Sequence, residues 1–429
     1  MRLPTSARTP LARAVLVAAG CLALGGCRSD GPTAPGAAVP LRALTPVEQR
    51  AASASNGFAF AMLRQLAVAT PAENVVLSPL SGSAALGMTL NGADGETRAG
   101  MQRALGVADL TVEQSNAAYR DIVPLLLAAD PAVTIRSANA LWQAPWFTTR
   151  PAFDDAMRTY YGATTRPVDF ADATAAAATM NRWANDQTSG RIPKVFEPHQ
   201  ISRDLVLVLM NALYFKGPWA ARFDAGETRP RPFTIGDGST VNVPTMFRAK
   251  VPLRTGADTG AEVVELPFGG GAYAMTIVLP AQGRPLDALV ASLDASRWAS
   301  LVGTLRDDAR DVYLPKFELA GERLWNAPLQ ALGMVDAFSP SRADFSLLSS
   351  QCAPGGTAAG RCVISFVKQN IWVRVDEEGA EAAAVTSVGV GVVSLPAAVT
   401  IDRPFVFAIR ERSTGAVLFL GAVRDPRAR

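Results

Sequence analysis

Histidine is almost absent from this chain, since His199 is the only one among 429 residues. Ser-His-Asp and Cys-His catalysis both need a positioned imidazole, and the helix of a zinc protease needs two. His199 follows Pro198 and has no acid-and-nucleophile pattern around it, which is typical of a loop residue. The sequence therefore argues against a periplasmic hydrolase of these classes.

Other motifs with catalytic associations are present in the wrong arrangement. Ser365–Lys368 has the Ser-x-x-Lys pattern of penicillin-recognising enzymes, and Arg254–Gly256 is similar to their Lys-Thr-Gly. The second motif precedes the first, however, and no Ser-Asp-Asn lies between them. Gly269–Gly271 lacks the Lys and Ser/Thr that complete a phosphate-binding loop. We predict that the protein is not an enzyme and has no metal site and no cofactor.

Net charge is also small, at +3, and no Lys/Arg cluster is interleaved with aromatic residues. Nucleic acid is therefore not a predicted partner. The hydrophobic content of 49% is enough for a large core, and the chain after residue 46 has no Pro/Gly/Ser-rich linker. We predict one large domain over residues 46–429.

The N-terminus has the pattern of a targeting segment. Arg2, Arg8 and Arg13 precede an apolar run, Ala14–Gly26, that is too short to span a bilayer and suits the core of a signal peptide. The run ends in Leu-Gly-Gly-Cys27, which resembles a bacterial lipobox. This pattern predicts a lipoprotein signal peptide at 1–26, with lipidation of Cys27. An ordinary secretory signal cut elsewhere is the alternative.

Residues 27–45 are interpreted as the lipidated cysteine and a flexible tether, because Ser29–Ala43 is rich in Pro, Ala and Gly. The predicted protein is exported and contacts the membrane only through the lipid on Cys27. Arg28, rather than Asp, follows the cysteine. In a Gram-negative bacterium that favours the outer membrane or the cell surface.

Two further cysteines, Cys352 and Cys362, flank a Gly-rich stretch. In an oxidising compartment this spacing predicts a local disulfide. Closing so short a loop stabilises the fold by about 2–3 kcal/mol on the chain-entropy model. A metal site is not expected there because no histidine lies nearby.

Hydrophobic patterning places helices mostly early and strands mostly late, which predicts an α+β fold. Helices are predicted over Val47–Ala69 and Leu80–Leu90, and a helix end with a Gly stop over Met180–Gly190. Strands are predicted over Val133–Trp142, Leu205–Phe215, Ala272–Leu279, Val363–Val375, Val399–Ile409 and Val417–Val423.

The stretch Val375–Thr386 has the composition of a loop that can become a strand. Read with period two, one face carries only small uncharged residues, namely Ala380, Ala382, Ala384 and Thr386. The other face carries Glu381, Ala383 and Val385. A strand that enters the middle of a sheet cannot bury an unpaired charge cheaply. The segment alone also fits an Ala-rich helix end or a surface loop.

Several motifs resemble those of the serpins, in the family's order, over roughly residues 46–426. They are Asn74–Ser81, Asn211–Trp219, Leu314–Phe317, Arg403–Phe407 and Leu420–Pro426, together with the stretch 375–386. The resemblance implies the serpin fold, in which mixed β-sheets are surrounded by helices. It also implies an exposed reactive-centre loop at about residues 377–398.

The resemblance implies a function as a suicide inhibitor of serine proteases. In serpins a target protease cleaves the loop and forms an acyl-enzyme, and the amino-side half of the loop then inserts into the main sheet before deacylation. The implied partner is a serine protease in a covalent complex, and the implied state is a monomer. The residues assigned to the hinge are Glu377, Glu378, Gly379, Ala380, Glu381, Ala382, Ala383, Ala384, Val385 and Thr386.

Two counts place the bond that the protease cuts. In inhibitory serpins of usual loop length, the acylating residue is the seventeenth from the hinge glutamate, and counting Glu377 as the first gives Val393. The residue after the cut lies ten positions before the proline of the Pro-Phe-Val-Phe strand, and counting back from Pro404 gives Ser394. A small β-branched residue at the cut suits elastase-like proteases, and subtilisin-like proteases remain an alternative.

The resemblance also implies a gate beneath the moving strands. The assigned residues are Ser78, Ser81, Asn211, Trp219 and Gln369, and Gln369 stands where many relatives have histidine. Each could also be a packed core residue. A second interpretation of the whole chain is a non-inhibitory serpin that acts as a binding or chaperone-like surface lipoprotein. Such relatives often carry bulky, charged or Pro residues in the hinge.

Overall fold

The computed structural model describes residues 38–353, 356–358, 362–380 and 398–428. The α+β class is confirmed. The helices are α1 (Pro46–Ala69), α2 (Pro79–Leu90), α3 (Gly95–Leu105), α4 (Val112–Ala128), α5 (Pro151–Tyr161), α6 (Ala173–Gln187), α7 (Leu286–Ser292), α8 (Ala295–Gly303) and α9 (Asn326–Ala331). No helix in the described ranges is long and apolar enough to cross a membrane.

Strands dominate the chain after α6. They are β1 (Val75–Leu77), β2 (Thr134–Gln143), β3 (Thr164–Pro167), β4 (Leu207–Pro218), β5 (Arg229–Thr234), β6 (Thr240–Ala257), β7 (Ala261–Phe268), β8 (Tyr273–Pro280), β9 (Arg306–Pro315), β10 (Phe317–Leu324), β11 (Lys368–Val375), β12 (Gly379–Ala380), β13 (Val399–Thr400), β14 (Phe405–Glu411) and β15 (Val417–Val423).

The largest sheet has the order β1-β15-β14-β8-β7-β6-β9-β13, with β5 paired to β6. Every residue of β8, β14 and β15 is buried, so these strands form the centre of the core. The prediction of one strand over Val399–Ile409 is wrong, because β13 pairs with β9 while β14 pairs with β8 and β15. Pro404 lies between the two strands, and proline has no N–H to donate to a ladder.

A second sheet has the order β12-β4-β2-β3, and β10 pairs with β11 separately. Among the described strands no backbone ladder joins β4 to β11. The short strand β12 pairs antiparallel with the end of β4, where Gly379 lies opposite Pro218 and Ala380 opposite Gly217. Gly379 and Ala380, near the start of the predicted loop, therefore pair with the C-terminal end of β4. The rest of this edge of β4 has no strand partner among the described residues.

Helix α2 covers the predicted range Leu80–Leu90 and packs closely against Trp325. The Ser78 side chain caps its N-terminus and Pro79 occupies the first turn. At Gly82 an added Cβ would lie 2.5 Å from Cζ3 of Trp325, so only glycine allows this indole ring to reach the helix.

The segment 363–367 is not a strand, although its apolar run predicted one. Its backbone bonds to helical segments instead of a neighbouring strand. The N–H of Ile364 donates to the Ala337 carbonyl, and the N–H of Val367 donates to Oδ1 of Asn326. An apolar run cannot by itself distinguish a buried strand from a buried connection. Strand β11 accordingly begins at Lys368.

Candidate functional site

The start of the predicted hinge is bound to the end of β4 and to the residues that follow it through main-chain hydrogen bonds. The N–H of Trp219 donates to the Glu378 carbonyl at 2.8 Å, and the N–H of Phe223 donates to the Glu377 carbonyl at 2.9 Å. Together with the β12–β4 ladder these bonds fix residues 377–380 against β4. The chain beyond Ala380 leaves from this fixed point.

Gly379 is required here for a steric reason as well as for its conformation. Its φ of +141° belongs to the region that favours glycine, and an added Cβ would lie 2.1 Å from the Gly217 carbonyl oxygen. No other residue can pair this closely with β4. The positive φ and the close approach of the two backbones are thus two independent requirements for glycine at position 379.

The Trp219 side chain also holds the start of the predicted hinge in place. Its side chain is 2% exposed and stacks on Phe268, with ring centroids 4.5 Å apart and planes at 16°. The indole Nε1 donates to the Asp376 carbonyl at 2.8 Å. The tryptophan thus links the end of β4 to Asp376, the last residue before the predicted hinge.

Glu377 is held by two partners that sequence reasoning did not identify. Its carboxylate contacts the Lys316 ammonium at 2.8 Å and accepts a hydrogen bond of 2.7 Å from the Thr228 hydroxyl. Burial alone would raise the pKa of Glu377, but the hydrogen bonds from Lys316 and Thr228 outweigh it and hold the pKa below its ordinary value. Lys316 lies inside the motif Leu314–Phe317. That motif is the feature of the sequence that could have indicated a partner for Glu377.

We expect Glu377→Gln to remove part of the acid sensitivity of the fold. A depressed carboxylate pKa adds stability above the unfolded pKa of about 4.3, and this contribution disappears as the pH falls through the folded pKa. The wild-type thermal midpoint should therefore drop more steeply between about pH 5 and 3 than that of the variant. Thermal melts across this pH range, with the exposed Glu113→Gln as control, measure the difference. Parallel curves would contradict the assignment.

Glu378, the next residue, has its pKa shifted in the opposite direction. Burial and the nearby carboxylate of Asp376 raise its pKa, and its Oε2 atom is buried without a hydrogen-bond partner among the described residues. Two adjacent glutamates therefore differ in role. Glu377 fastens the hinge, and Glu378 contributes its backbone carbonyl.

The gate residues Ser78, Ser81 and Gln369 are brought together. The Gln369 side chain bonds the backbone of Ser78 on both sides: Oε1 accepts from the Ser78 N–H and Nε2 donates to the Ser78 carbonyl, each at 2.9 Å. The Ser78 hydroxyl accepts from the Ser81 N–H at 3.3 Å. Glutamine therefore uses an acceptor and a donor at once, and this contact ties β11 to the start of α2.

Asn211 lies on β4 and bonds to a different set of residues. Its Nδ2 donates to Oδ1 of Asn139 at 2.8 Å and approaches the Ser137 hydroxyl at 3.4 Å. Gln369 and Asn211 each line the space between β11 and β4, but no hydrogen bond between them is found in the described chain. The predicted network is thus two separate networks, one on each side of the gap.

We expect Gln369→Ala to weaken the contact between β11 and the start of α2 in the predicted gate. The substitution leaves the buried N–H of Ser78 unpaired, which costs about 1–3 kcal/mol, while the Ser78 carbonyl keeps the bond that it accepts from the Gly82 N–H at 3.0 Å. The variant should lose its native conformation faster on heating, and the rate of heat inactivation measures this. The neighbouring Asn370→Ala, which removes only a 3.4 Å bond to the Lys194 carbonyl, is the matched control. Equal inactivation rates for wild type and Gln369→Ala would contradict a gating contact.

The space between β4 and β11 is a cavity of about 190 Å³. Residues 207–213 of β4 form one wall and residues 368–371 of β11 form the other. Helix α2, the segment 362–367 and residues of α6 also line it. The cavity lies below the point where β12 pairs with β4, so a strand that extended β12 along β4 would run toward it.

Cys352 and Cys362 form a disulfide, with their Cα atoms 5.5 Å apart. Cys362 also lines the cavity between β4 and β11. No cluster of metal-ligating side chains occurs within the described ranges. The predicted reactive bond Val393–Ser394, the hinge residues Glu381–Thr386 and the predicted lipidation site Cys27 lie outside the described residues.

Residues 53–426 match the family model described as Serpin (serine protease inhibitor). Iripin-2 of Ixodes ricinus is 34% identical over 384 residues, which cover 88% of this chain and 94% of that protein. An uncharacterised serpin-like protein of Methanosarcina acetivorans is 31% identical, with coverage of 87% and 86%. The crystal structure of native protease nexin-1 with heparin matches with a TM-score of 0.78 at 27% identity, covering 88% of this chain and all of that one.

Proposed function

Because the chain belongs to the serpin family and has the serpin fold, as its motifs predicted, we propose that it inhibits serine proteases by trapping the acyl-enzyme. After cleavage at Val393–Ser394, the amino-side half of the loop would extend β12 along β4 and fill the gap toward β11. The inhibitor itself is not an enzyme in this proposal. Each inhibitor molecule is used up when one protease molecule cleaves it and is trapped.

The observation that carries this proposal is the arrangement at the top of β4. The strand β12 already pairs with Gly217 and Pro218, and β4 has no ladder to β11 in the part of the chain that the structure describes. Adding a strand there would form new backbone hydrogen bonds on both sides and bury the small face of the hinge. This gain would drive the inhibited complex, and the unfilled sheet would be a kinetically trapped state.

The composition of the hinge favours inhibition over a purely binding function. The residues from Ala380 to Thr386 include no proline and no bulky aromatic side chain. Their single charge, Glu381, falls on the face opposite to the small residues. Insertion would therefore bury no unpaired charge.

The proposed targets are elastase-like proteases, with subtilisin-like proteases as a second class. Val393 is small and β-branched, and no Arg or Lys occurs between Glu378 and Asp402 to attract a trypsin-like enzyme. Shallow apolar specificity pockets accept such a side chain.

The direct test mixes the purified protein with pancreatic-type elastase and separates the products by denaturing electrophoresis. A band larger by the mass of the protease that survives boiling supports the acyl-enzyme trap. Loop cleavage after Val393 without this adduct shows that the protein is a substrate of elastase and does not trap it. A melt of the cleaved product then decides whether the loop inserted, since insertion raises thermal stability sharply.

We also propose that the protein is exported as a monomer and anchored through lipid on Cys27, with residues 28–37 as the tether. The predicted end of the tether at residue 45 is wrong, because the Val39 N–H donates to the Ala129 carbonyl at 2.9 Å and Arg42 pairs with Glu48 of α1. The lipobox-like Leu24–Cys27 supports the lipid anchor. In a Gram-negative host, radiolabelled palmitate should label the wild type and not Cys27→Ser, while Cys21→Ser, whose cysteine lies within the predicted signal peptide, should remain labelled. Labelling of Cys27→Ser would overturn the anchor.

A further inference from the structure

The first described residues of the chain are fixed beside the turn between β7 and β8. The Val39 N–H donates to the Ala129 carbonyl at 2.9 Å. The next residue, Asp130, is 2% exposed, and its Oδ2 atom accepts hydrogen bonds from the N–H groups of Gly270 at 2.8 Å and Ala272 at 3.3 Å. The N-terminal segment therefore joins the domain at a fixed point, next to the end of α4 and the turn 269–272.

This point lies at the same end of the domain as the predicted hinge. The Gly269 N–H donates to the Pro218 carbonyl at 2.7 Å, and Pro218 lies opposite Gly379. Contacts of this kind join Cα atoms that are about 5–6 Å apart, so Val39 lies within about 30 Å of Gly379. Strand β2 also begins at this end of β4. The N-terminal segment thus meets the domain at the end of β4 that carries the hinge.

Apolar side chains lie on the surface around this point. Within the segments 38–41 and 124–131 every exposed residue is apolar, and the only ionisable side chain, that of Asp130, is buried. Val39 is 47% exposed and Leu127 is 39% exposed. Contiguous apolar patches mark protein or membrane contacts, whereas single exposed apolar residues do not. We name as the tether patch the exposed residues Val39, Pro40, Pro124, Leu127, Ala128 and Pro131.

The length of chain before the tether patch indicates what covers it. Residues 28–37 separate Cys27 from Ala38, and a chain of ten residues spans at most about 35 Å. This inference rests on the proposed lipid anchor, which would hold the patch within that distance of a bilayer. The boundary between headgroups and acyl chains accepts apolar side chains. We propose that the tether patch rests on the lipid headgroups of the bilayer that holds Cys27.

This contact would turn the hinge end of the domain toward the membrane. It would add a protein surface to the lipid, which the sequence predicted as the only membrane contact. A globular protease of about 240 residues is about 45 Å across, which exceeds the reach of the tether. The bilayer would therefore obstruct the approach of a soluble protease to this end of the domain. We expect the anchored inhibitor to trap such a protease more slowly than the released one.

Hydroxyl-radical footprinting tests the contact on the full-length lipidated protein in vesicles of phosphatidylethanolamine and phosphatidylglycerol. Leu347 is the matched reference for Leu127, because it is also a leucine and is 36% exposed. It lies beyond the opposite end of β2, where the Leu348 carbonyl accepts from the Arg150 N–H. We expect Leu127 to be oxidised at least about threefold more slowly than Leu347, because the lipid excludes water from it. Equal rates in the vesicles would overturn the proposal.

The unanchored protein distinguishes a bilayer from a second copy of the chain. Cys27→Ser without vesicles should oxidise Leu127 and Leu347 at similar rates. If Leu127 is instead protected there, and more so at higher protein concentration, a second copy covers the patch and the membrane contact is overturned. If palmitate labelling fails, coupling the Cys27 thiol of Cys21→Ser to a maleimide lipid supplies the same tether. The footprint then still decides whether the patch contacts the bilayer.

Leu127→Glu tests the apolar character of the patch. A carboxylate would have to lose its hydration at the lipid surface, so the patch should leave the bilayer. Oxidation of Val39 in vesicles should then rise at least about threefold over wild type. Leu347→Glu carries the same charge elsewhere and should leave Val39 protected, and circular dichroism verifies that both variants are folded. Protection of Val39 that survives in Leu127→Glu, or is lost equally in both variants, contradicts the assignment.

The rate of adduct formation with elastase separates this inference from the proposed inhibition. In vesicles Leu127→Glu should form the adduct at least about threefold faster than wild type, since its loop end is no longer held at the bilayer. After the vesicles are dissolved in detergent, the two rates should be equal. If the footprint shows the contact and the rates in vesicles are equal, the obstruction is overturned. If neither protein forms an adduct in either condition, the proposed inhibition fails, while the footprint still decides the membrane contact.

Discussion

Ala380→Arg is expected to convert the inhibitor into a substrate. Ala380 is the first residue of the small hinge face and pairs with Gly217 at the start of the insertion path. Extending β12 would carry the new guanidinium into the sheet interior, where an unpaired charge costs several kcal/mol. Since about 1.4 kcal/mol corresponds to a factor of ten, we expect at least about a tenfold fall in the ratio of adduct to cleaved protein.

The matched control is Ala383→Arg, because Ala383 lies on the opposite face of the same segment under period two. Its charge would stay outside the sheet, so the adduct should form nearly as in wild type. Electrophoresis after mixing with elastase measures both variants. If Ala380→Arg traps elastase as well as wild type, or if both variants lose the adduct equally, the assignment of the buried face is wrong.

Val393→Arg is expected to redirect the inhibitor toward trypsin-like proteases. Trypsin-like specificity pockets hold an acidic group that pairs with Arg or Lys at the cleaved bond. The loop offers no such residue at present, so the association rate with trypsin should rise by about a hundredfold or more. The rate with elastase should fall, because a shallow apolar pocket cannot hold a guanidinium.

The control for this experiment is Val392→Arg, which puts the same side chain one residue earlier. It should yield a much smaller gain with trypsin, and mass spectrometry of the released peptide should locate the cut. A larger gain for Val392→Arg than for Val393→Arg would show that the reactive bond is misplaced by one residue.

The parts of this protein that the sequence predicted best follow from local periodicity. Helix α2 and the apolar runs of β2, β4, β8 and β15 depend on spacing alone, so they appear within a few residues of the expected bounds. The family motifs then fixed the fold. The small face of the hinge followed from period two, because only that period separates Glu381 from its neighbours.

The features that the sequence did not predict all depend on residues that are far apart in the chain. Glu377 is fastened by Lys316, which is 61 positions away, and by Thr228, which is 149 positions away. The apolar segment 363–367 is a connection because Ala337 and Asn326 take its N–H groups. Periodicity reports which side of a segment is buried, but it does not report which partner covers that side.

The contact between the two ends of the chain has a consequence for folding kinetics. Strand β1 closes the edge of the largest sheet by pairing with β15, and Asn74 bonds to the Asp425 carbonyl 351 positions away. During synthesis the predicted reactive-centre loop emerges before β14 and β15 exist, so β1 has no strand partner and β8 is paired on one edge only until the last few dozen residues are made. Such high contact order slows folding. The final strands therefore determine when folding can finish, since the complete sheet can form only after translation has passed residues 381–397.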